Sequence, residues 1–234
     1  MITKVQRPPR LAVNAMSLAK IYAEDKAFFG SRLAVDFWAQ TDGDKITAVV
    51  SSCGGSMNIY TDGADFSELS AFVRALSPAV IFTEYENAAP LSLKCDRVRN
   101  MLRFKSEKTA DTTASFTLRE LYDGLALGSD VDVHLPSFEV FAPDVSHRLR
   151  HGGAVAVLKK EGAALAFLYE GGGVMTGIAL SPASRGKGLG KVLLSELLSH
   201  VDGDFFVAAN DTNKEFYLRC GFTLSGKVCF GRLE

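Results

Sequence analysis

No apolar run in this chain approaches the roughly 18 residues that a membrane-crossing helix needs, and the amino-terminal stretch Met-Ile-Thr-Lys-Val-Gln-Arg-Pro-Pro-Arg has no apolar signal core. No membrane partner is expected, and the expected location is cytoplasmic. An excess of one charge is missing too: 26 Lys plus Arg against 27 Asp plus Glu leave a formal net charge of −1, with the cations scattered along the chain. That removes the electrostatic footprint of a nucleic-acid binder. Cysteine and histidine are scarce. Cys53, Cys95, Cys220 and Cys229 never reach C-x-x-C spacing, and His134, His147, His151 and His200 form no ligand pattern with them. No metal site is expected, and the cysteines read as reduced, buried thiols. Disorder is excluded by 47% apolar content over 234 residues, enough for one large domain or two small ones.

The chain has two halves with a common rhythm. In the first, strands are expected at Leu33 to Gln40, Ile46 to Cys53 and Met57 to Tyr60, with a hairpin turn at Asp42-Gly43-Asp44. A helix follows, with Phe66, Leu69, Phe72, Val73 and Leu76 on its apolar face and Asp65 as cap, then a strand from Ala79 to Phe82. The second half repeats the order: strands at Ala154 to Leu158, Ala164 to Tyr169 and Val174 to Leu180, a helix from Gly188 to Val201, and a strand from Phe205 to Ala208. This reads as a degenerate internal duplication. Between the halves, Glu107 to Thr117 is polar and reads as a linker, and Leu118 to Leu127 and Pro136 to Leu149 read as helices.

The most informative stretch runs from Ile178 to Lys191, Ile-Ala-Leu-Ser-Pro-Ala-Ser-Arg-Gly-Lys-Gly-Leu-Gly-Lys. An apolar strand passes through a proline turn into Gly186, Gly188 and Gly190, and Val192, Leu193, Leu194, Leu197 and Leu198 then recur at helical spacing. Glycines without β-carbons let a ligand approach the backbone, and the start of a helix directs unpaired N–H groups at an anion. Arg185 and Lys187 add positive charge, read here as mobile. Spacing separates the loops that could explain this cradle. A P-loop would place glycine at 185 and Ser or Thr at 192, where Arg and Val stand. A dinucleotide fingerprint would place its third glycine at Lys191, and Asp211 to Glu234 hold no room for the further βα units such a domain needs.

Arg185-Gly186-Lys187-Gly188-Leu189-Gly190 after a short strand and a proline resembles motif A of the GCN5-related N-acetyltransferases. Asn210-Asp-Thr-Asn213-Lys-Glu-Phe216-Tyr217-Leu-Arg-Cys-Gly221-Phe222 resembles that family's motif B, an asparagine followed by a tyrosine seven residues on and then Gly-Phe. The resemblance covers the C-terminal part of the chain. It implies a mixed α/β (α+β) fold with a central mixed sheet flanked by helices; together with the repeated rhythm, two lobes are expected, a degenerate half-repeat over 1–106 and a catalytic domain over 107–234. It also implies acyl transfer from acetyl-CoA to a primary amine by direct attack in a ternary complex, in a monomer or homodimer.

Each part of acetyl-CoA then has a candidate. The pyrophosphate would lie on amides from Arg185 to Lys191, including Gly186, Lys187, Gly188, Leu189 and Gly190, and the pantetheine arm would add edge-on to Ile178, Ala179 and Leu180. The resemblance gives the oxyanion N–H to Leu180 or Ala179 and the acid that meets the leaving sulfur to Tyr217. Asn210 and Asn213 would bond the diphosphate or pantetheine, or else cap a helix; Phe216 would pack beside the cofactor. Gly221 reads as a helix stop and Phe222 as a buried strand start. The general base stays open between Glu170, Asp144, His147 and Glu84. In the first half, Thr61-Asp62-Gly63-Ala64-Asp65 occupies the place of the glycine cradle, so only the second half is expected to bind the cofactor. The reading from another class is a non-catalytic acyl-CoA sensor.

Overall fold

A computed structural model describes residues 1–29, 35–110, 115–128 and 135–234. In chain order the elements are β1 (Ile2–Val5), α1 (Met16–Phe28), β2 (Val35–Asp42), β3 (Lys45–Cys53), β4 (Ser56–Thr61), α2 (Phe66–Leu76), β5 (Val80–Glu84) and β6 (Leu93–Ser106). They continue as α3 (Leu118–Ala126), α4 (Phe138–Arg150), β7 (Ala154–Lys159), β8 (Gly162–Tyr169), β9 (Gly172–Leu180), α5 (Leu189–Leu198), β10 (Gly203–Ala209), α6 (Asp211–Arg219) and β11 (Thr223–Leu233). The expected strand start at Leu33 lies outside the described residues, as do His134 and part of the expected linker. No helix among the described residues is long and apolar enough to cross a membrane.

The chain packs as two compact units, residues 1–102 with 208–234, and residues 103–207. In the first unit the strand order is β1-β2-β3-β4-β5-β11-β6. In the second, β10-β9-β8-β7 follow one another. The pairing scheme is repeated. β2, β3 and β4 pair antiparallel in turn, and the chain crosses through α2 to put β5 parallel to β4. β7, β8 and β9 do the same, and α5 leads to β10, parallel to β9. The duplicated rhythm of the sequence is therefore a duplicated topology.

The units do not follow the expected division at 106. The physical reason is the last strand: β11 pairs antiparallel with β5, from Val228 opposite Glu84 to Gly231 opposite Ile81, which carries the chain end into the first unit. The same placement corrects the reading of the cysteines. β6 and β11 are neighbours, and Cys95 and Cys229, 134 residues apart in sequence, have Cα atoms 5.7 Å apart and are joined by a disulfide. Cys53 and Cys220 are half-buried and outside any disulfide.

Local signals explain most boundaries. Asp65 caps α2 by accepting from the amides of Ser67 and Glu68 at 2.9 and 3.1 Å. Thr117 and Glu120 form a capping box at α3. Ala-rich β7 and β8 leave room for helices to approach: a β-carbon on Gly124 of α3 would meet the Ala163 methyl at 2.9 Å. Leu121 and Leu125 of α3 and Phe141 and Val145 of α4 close that core over Ala156 and Leu165. On α5, Leu193, Leu194, Leu197 and Leu198 are buried, whereas Val192, expected on the apolar face, is 58% exposed.

α1 begins without a side-chain cap of its own, and Glu84 supplies one. Its carboxylate accepts from the Ser17 amide at 3.0 Å and the Ser17 hydroxyl at 2.5 Å. Burial pushes the Glu84 carboxyl above the usual glutamate range, against the lowering effect of the Ser17 bonds. A raised folded-state pKa favours the protonated form. Its stabilising effect is complete below the unfolded value, near ~4.3, and is lost as pH rises through the folded value. Glu84→Gln is therefore expected to gain stability relative to the parent chain as pH is raised from 4 to 7, read from urea midpoints. A difference that stays constant over that range would show that Glu84 titrates normally.

Candidate functional site

The cradle is built at the end of β9. Ser181 starts a single 3-10 turn over Pro182–Ser184, braced by a 2.8 Å bond between the Ser181 and Ser184 hydroxyls. Gly186 and Gly188 then adopt φ of 76° and 79°, the left-handed region that β-carbons disfavour. A β-carbon built on either meets nothing within 4 Å, so the space above both is open. Gly188 is the N-cap of α5, and the first bonds to its carbonyl come from Lys191 and Val192 at 3.1 and 3.4 Å. The amides of Leu189 and Gly190 precede those bonds, at the positive end of the helix dipole. Lys187 and Lys191 are exposed beside them.

Arg185 departs from expectation. Its Nε donates to the Leu180 carbonyl at 3.2 Å and its Nη2 to the Leu127 carbonyl at 2.9 Å. With two bonds to backbone carbonyls, its guanidinium is tied to the fold and is not a mobile charge.

β9 carries a feature that no local sequence signal announces. Its parallel ladder with β10 runs only from Gly172 opposite Asp204 to Val174 opposite Phe206. From Met175 to Leu180 its ladder partner among the described residues is β8 alone, and the β8 register shifts after Leu165, leaving Thr176 as an exposed bulge. Orientation follows from one bond, the Ser181 amide to the Glu161 carbonyl at 2.8 Å. Backbone groups in an antiparallel ladder alternate, so Ala179 and Gly177 face β8, and Ile178 and Leu180 face the edge that β10 leaves. The Leu180 carbonyl, bonded to Arg185, lies on that outer side. Of the two oxyanion candidates, Leu180 therefore turns its amide to the outer edge and Ala179 turns its amide toward β8.

The motif B residues form a complete helix with both ends closed, in the first unit. Asn210 caps α6 by accepting from the Asn213 amide at 2.7 Å. Asn100, which the sequence did not single out, is buried and holds the helix start by donating to the Asp211 carboxylate at 2.9 Å and the Ala209 carbonyl at 3.3 Å. At the other end, Gly221 has φ of 92°, its amide donates to Leu218 at 3.0 Å, and the Phe222 amide donates to Tyr217 at 3.1 Å. This is a Schellman stop, in which the residue two beyond the cap packs on the third residue before it. Here Phe222 meets Tyr217 with ring centroids 5.4 Å apart, and Phe216 meets Tyr217 at 5.0 Å. Tyr217 is 5% exposed.

The base candidates sit in different settings. Asp144 pairs with Arg148 at 2.9 Å, the His147 ring lies tilted against His151 with centroids 4.4 Å apart, Glu84 holds α1, and Glu170 is exposed. In the first unit the loop in the cradle's place is already satisfied: its helix-start amides bond the chain's own Asp65 carboxylate, and Asp62 pairs with Lys45 at 3.6 Å. Where β9 is open, β4 is plugged, by Thr61 and Thr83 bonded through Asn87 at 2.9 and 3.0 Å. Asp65→Ala is expected to cost about 1 kcal/mol of stability by loss of the cap while leaving any acetyl-CoA-induced melting shift unchanged. Loss of the shift would place cofactor binding in the first unit.

With this geometry in view, known proteins give one consistent match. Residues 150–224 match the family model of the acetyltransferase (GNAT) domain. Among solved structures, a GCN5-related N-acetyltransferase from Kribbella flavida superposes with a TM-score of 0.63 at 13% identity, covering 95% of this chain and 96% of its own. One from Sphaerobacter thermophilus gives 0.51 at 14% identity, covering 99% and 95%. A tandem GNAT protein from the clavulanic acid biosynthesis pathway gives 0.51 at 12%, covering 99% and 98%. No curated protein matches in sequence. At these identities the likeness is one of fold: the chain has the mixed α/β fold of these GNAT proteins.

Proposed function

We propose that the chain is an acetyl-CoA-dependent N-acetyltransferase acting on a primary amine of a small molecule or peptide. The observation that carries this reading is the open outer edge of β9, which runs from the bulge at Thr176 directly into the glycine cradle. A pantetheine arm pairs with such an edge as a short strand does, through Ile178, and the amides of Gly188, Leu189 and Gly190 take the pyrophosphate. The alternation of the strand favours Leu180 over Ala179 as the oxyanion donor, because its N–H faces the edge.

In the reaction, a neutral amine attacks the thioester carbonyl, the oxyanion accepts from the Leu180 amide, and the C–S bond breaks as the carbonyl re-forms. The ammonium proton leaves to a base or water, and the departing sulfur takes a proton from an acid. The resemblance gives that acid role to Tyr217 and packing or bonding roles to Asn210, Asn213 and Phe216.

The test is melting temperature with saturating acetyl-CoA and NADH as control, followed by a screen of amines for thiol release. Ligand at a hundred times its Kd stabilises by about 2.7 kcal/mol, roughly 5 to 10 °C for a chain of this length. A shift with acetyl-CoA and thiol release with an amine is the expected result. A shift without release over a broad amine panel would favour the sensor reading, and no shift would overturn both.

A further inference from the structure

We propose that Arg185 is a positioning residue that ties the glycine cradle to the last turn of α3, so that the phosphate loop and the end of α3 become ordered together. The inference rests on the acetyl-CoA reading of the cradle and adds a role that the motif alone does not contain. Motif spacing gives Arg185 as a positive charge beside an anion loop. The structure commits its planar group to two carbonyls from distant segments, Leu180 at the end of β9 and Leu127 at the C-cap of α3.

Both acceptors suit it. The last carbonyls of a helix lack intrahelical partners and carry the negative end of the dipole, which a guanidinium satisfies. The Leu180 carbonyl lies on the side of β9 turned away from β8, where a ladder bond does not compete. The Arg185 amide also donates to Pro182 at 3.3 Å, fixing the backbone that precedes Gly186. A bridge of this kind needs two N–H vectors in a rigid fork; an ammonium on a flexible stem has charge without that fork. α3 is one of the helices that the resemblance places beside the acceptor, so the bridge connects the cofactor loop to the acceptor side of the same unit.

The test compares the full-length parent chain with Arg185→Lys and Arg185→Met, using acetyl-CoA affinity and amide hydrogen exchange over 125–128 and 186–190. Both variants are expected to bind acetyl-CoA about tenfold more weakly, lysine restoring no more than twofold of the loss. At saturation, acetyl-CoA should protect 125–128 in the parent chain and not in Arg185→Met. Parent-like affinity in Arg185→Lys would show a charge acting on phosphate and overturn the proposal, as would equal protection of 125–128 in Arg185→Met. If the parent chain fails to bind acetyl-CoA, the functional reading falls and the bridge is judged without ligand. Exchange at both segments must then accelerate together, at least about fivefold, in Arg185→Met; unchanged exchange at 125–128 would overturn it.

Discussion

Gly188→Val is expected to abolish acetyl-CoA-induced stabilisation in a protein that still folds. The two halves of this expectation have separate causes. A β-carbon at Gly188 meets no atom within 4 Å, so the fold has room for it. What the chain loses is backbone ease, because φ of 79° costs an L-residue about 1–2 kcal/mol, more for a β-branched one. The ligand loses more, since the new side chain stands in the open space over the amides that would face the pyrophosphate. Gly188→Asn separates the effects. Asparagine tolerates the left-handed region, so it should restore most of the stability and none of the binding. Parent-like affinity in either variant, measured by melting shift and by direct titration, would remove the cradle from the binding site.

Tyr217→Phe should lower kcat by about 100-fold, the lower end of what a positioned acid contributes, with acetyl-CoA affinity within about twofold of the parent chain. The variant should still fold, because phenylalanine keeps the ring contacts with Phe216 and Phe222 at the Schellman stop. The comparison is informative because the structure gives Tyr217 a sufficient packing role. A kcat equal to that of the parent chain, in a thiol-release assay with an amine found by screening, would leave it that role alone.

The sequence was most legible where the signal is local. Asp65 before Phe66 gives the start of α2, and the interval from Asp42 to Lys45 gives the hairpin, with Gly43-Asp44 as its two-residue loop. α1 escaped because ten of its thirteen residues are buried, which leaves no polar face and hence no helical period to read. β6 and β11 escaped for the opposite reason, being interrupted by charges and glycines that are exposed along much of their length.

The sequence by itself determined the two motifs, the repeated strand–helix rhythm and the glycine loop, since each depends on residues within one or two turns of one another. Only the tertiary structure decided that β11 closes the first unit, that Cys95 meets Cys229, that the β9–β10 ladder stops at Val174, and that Arg185 bonds carbonyls rather than standing free for an anion. Strand partners and the last acceptor of a long side chain are set by which distant segments bury their apolar faces together. That outcome belongs to the packed chain, and no short window of residues contains it.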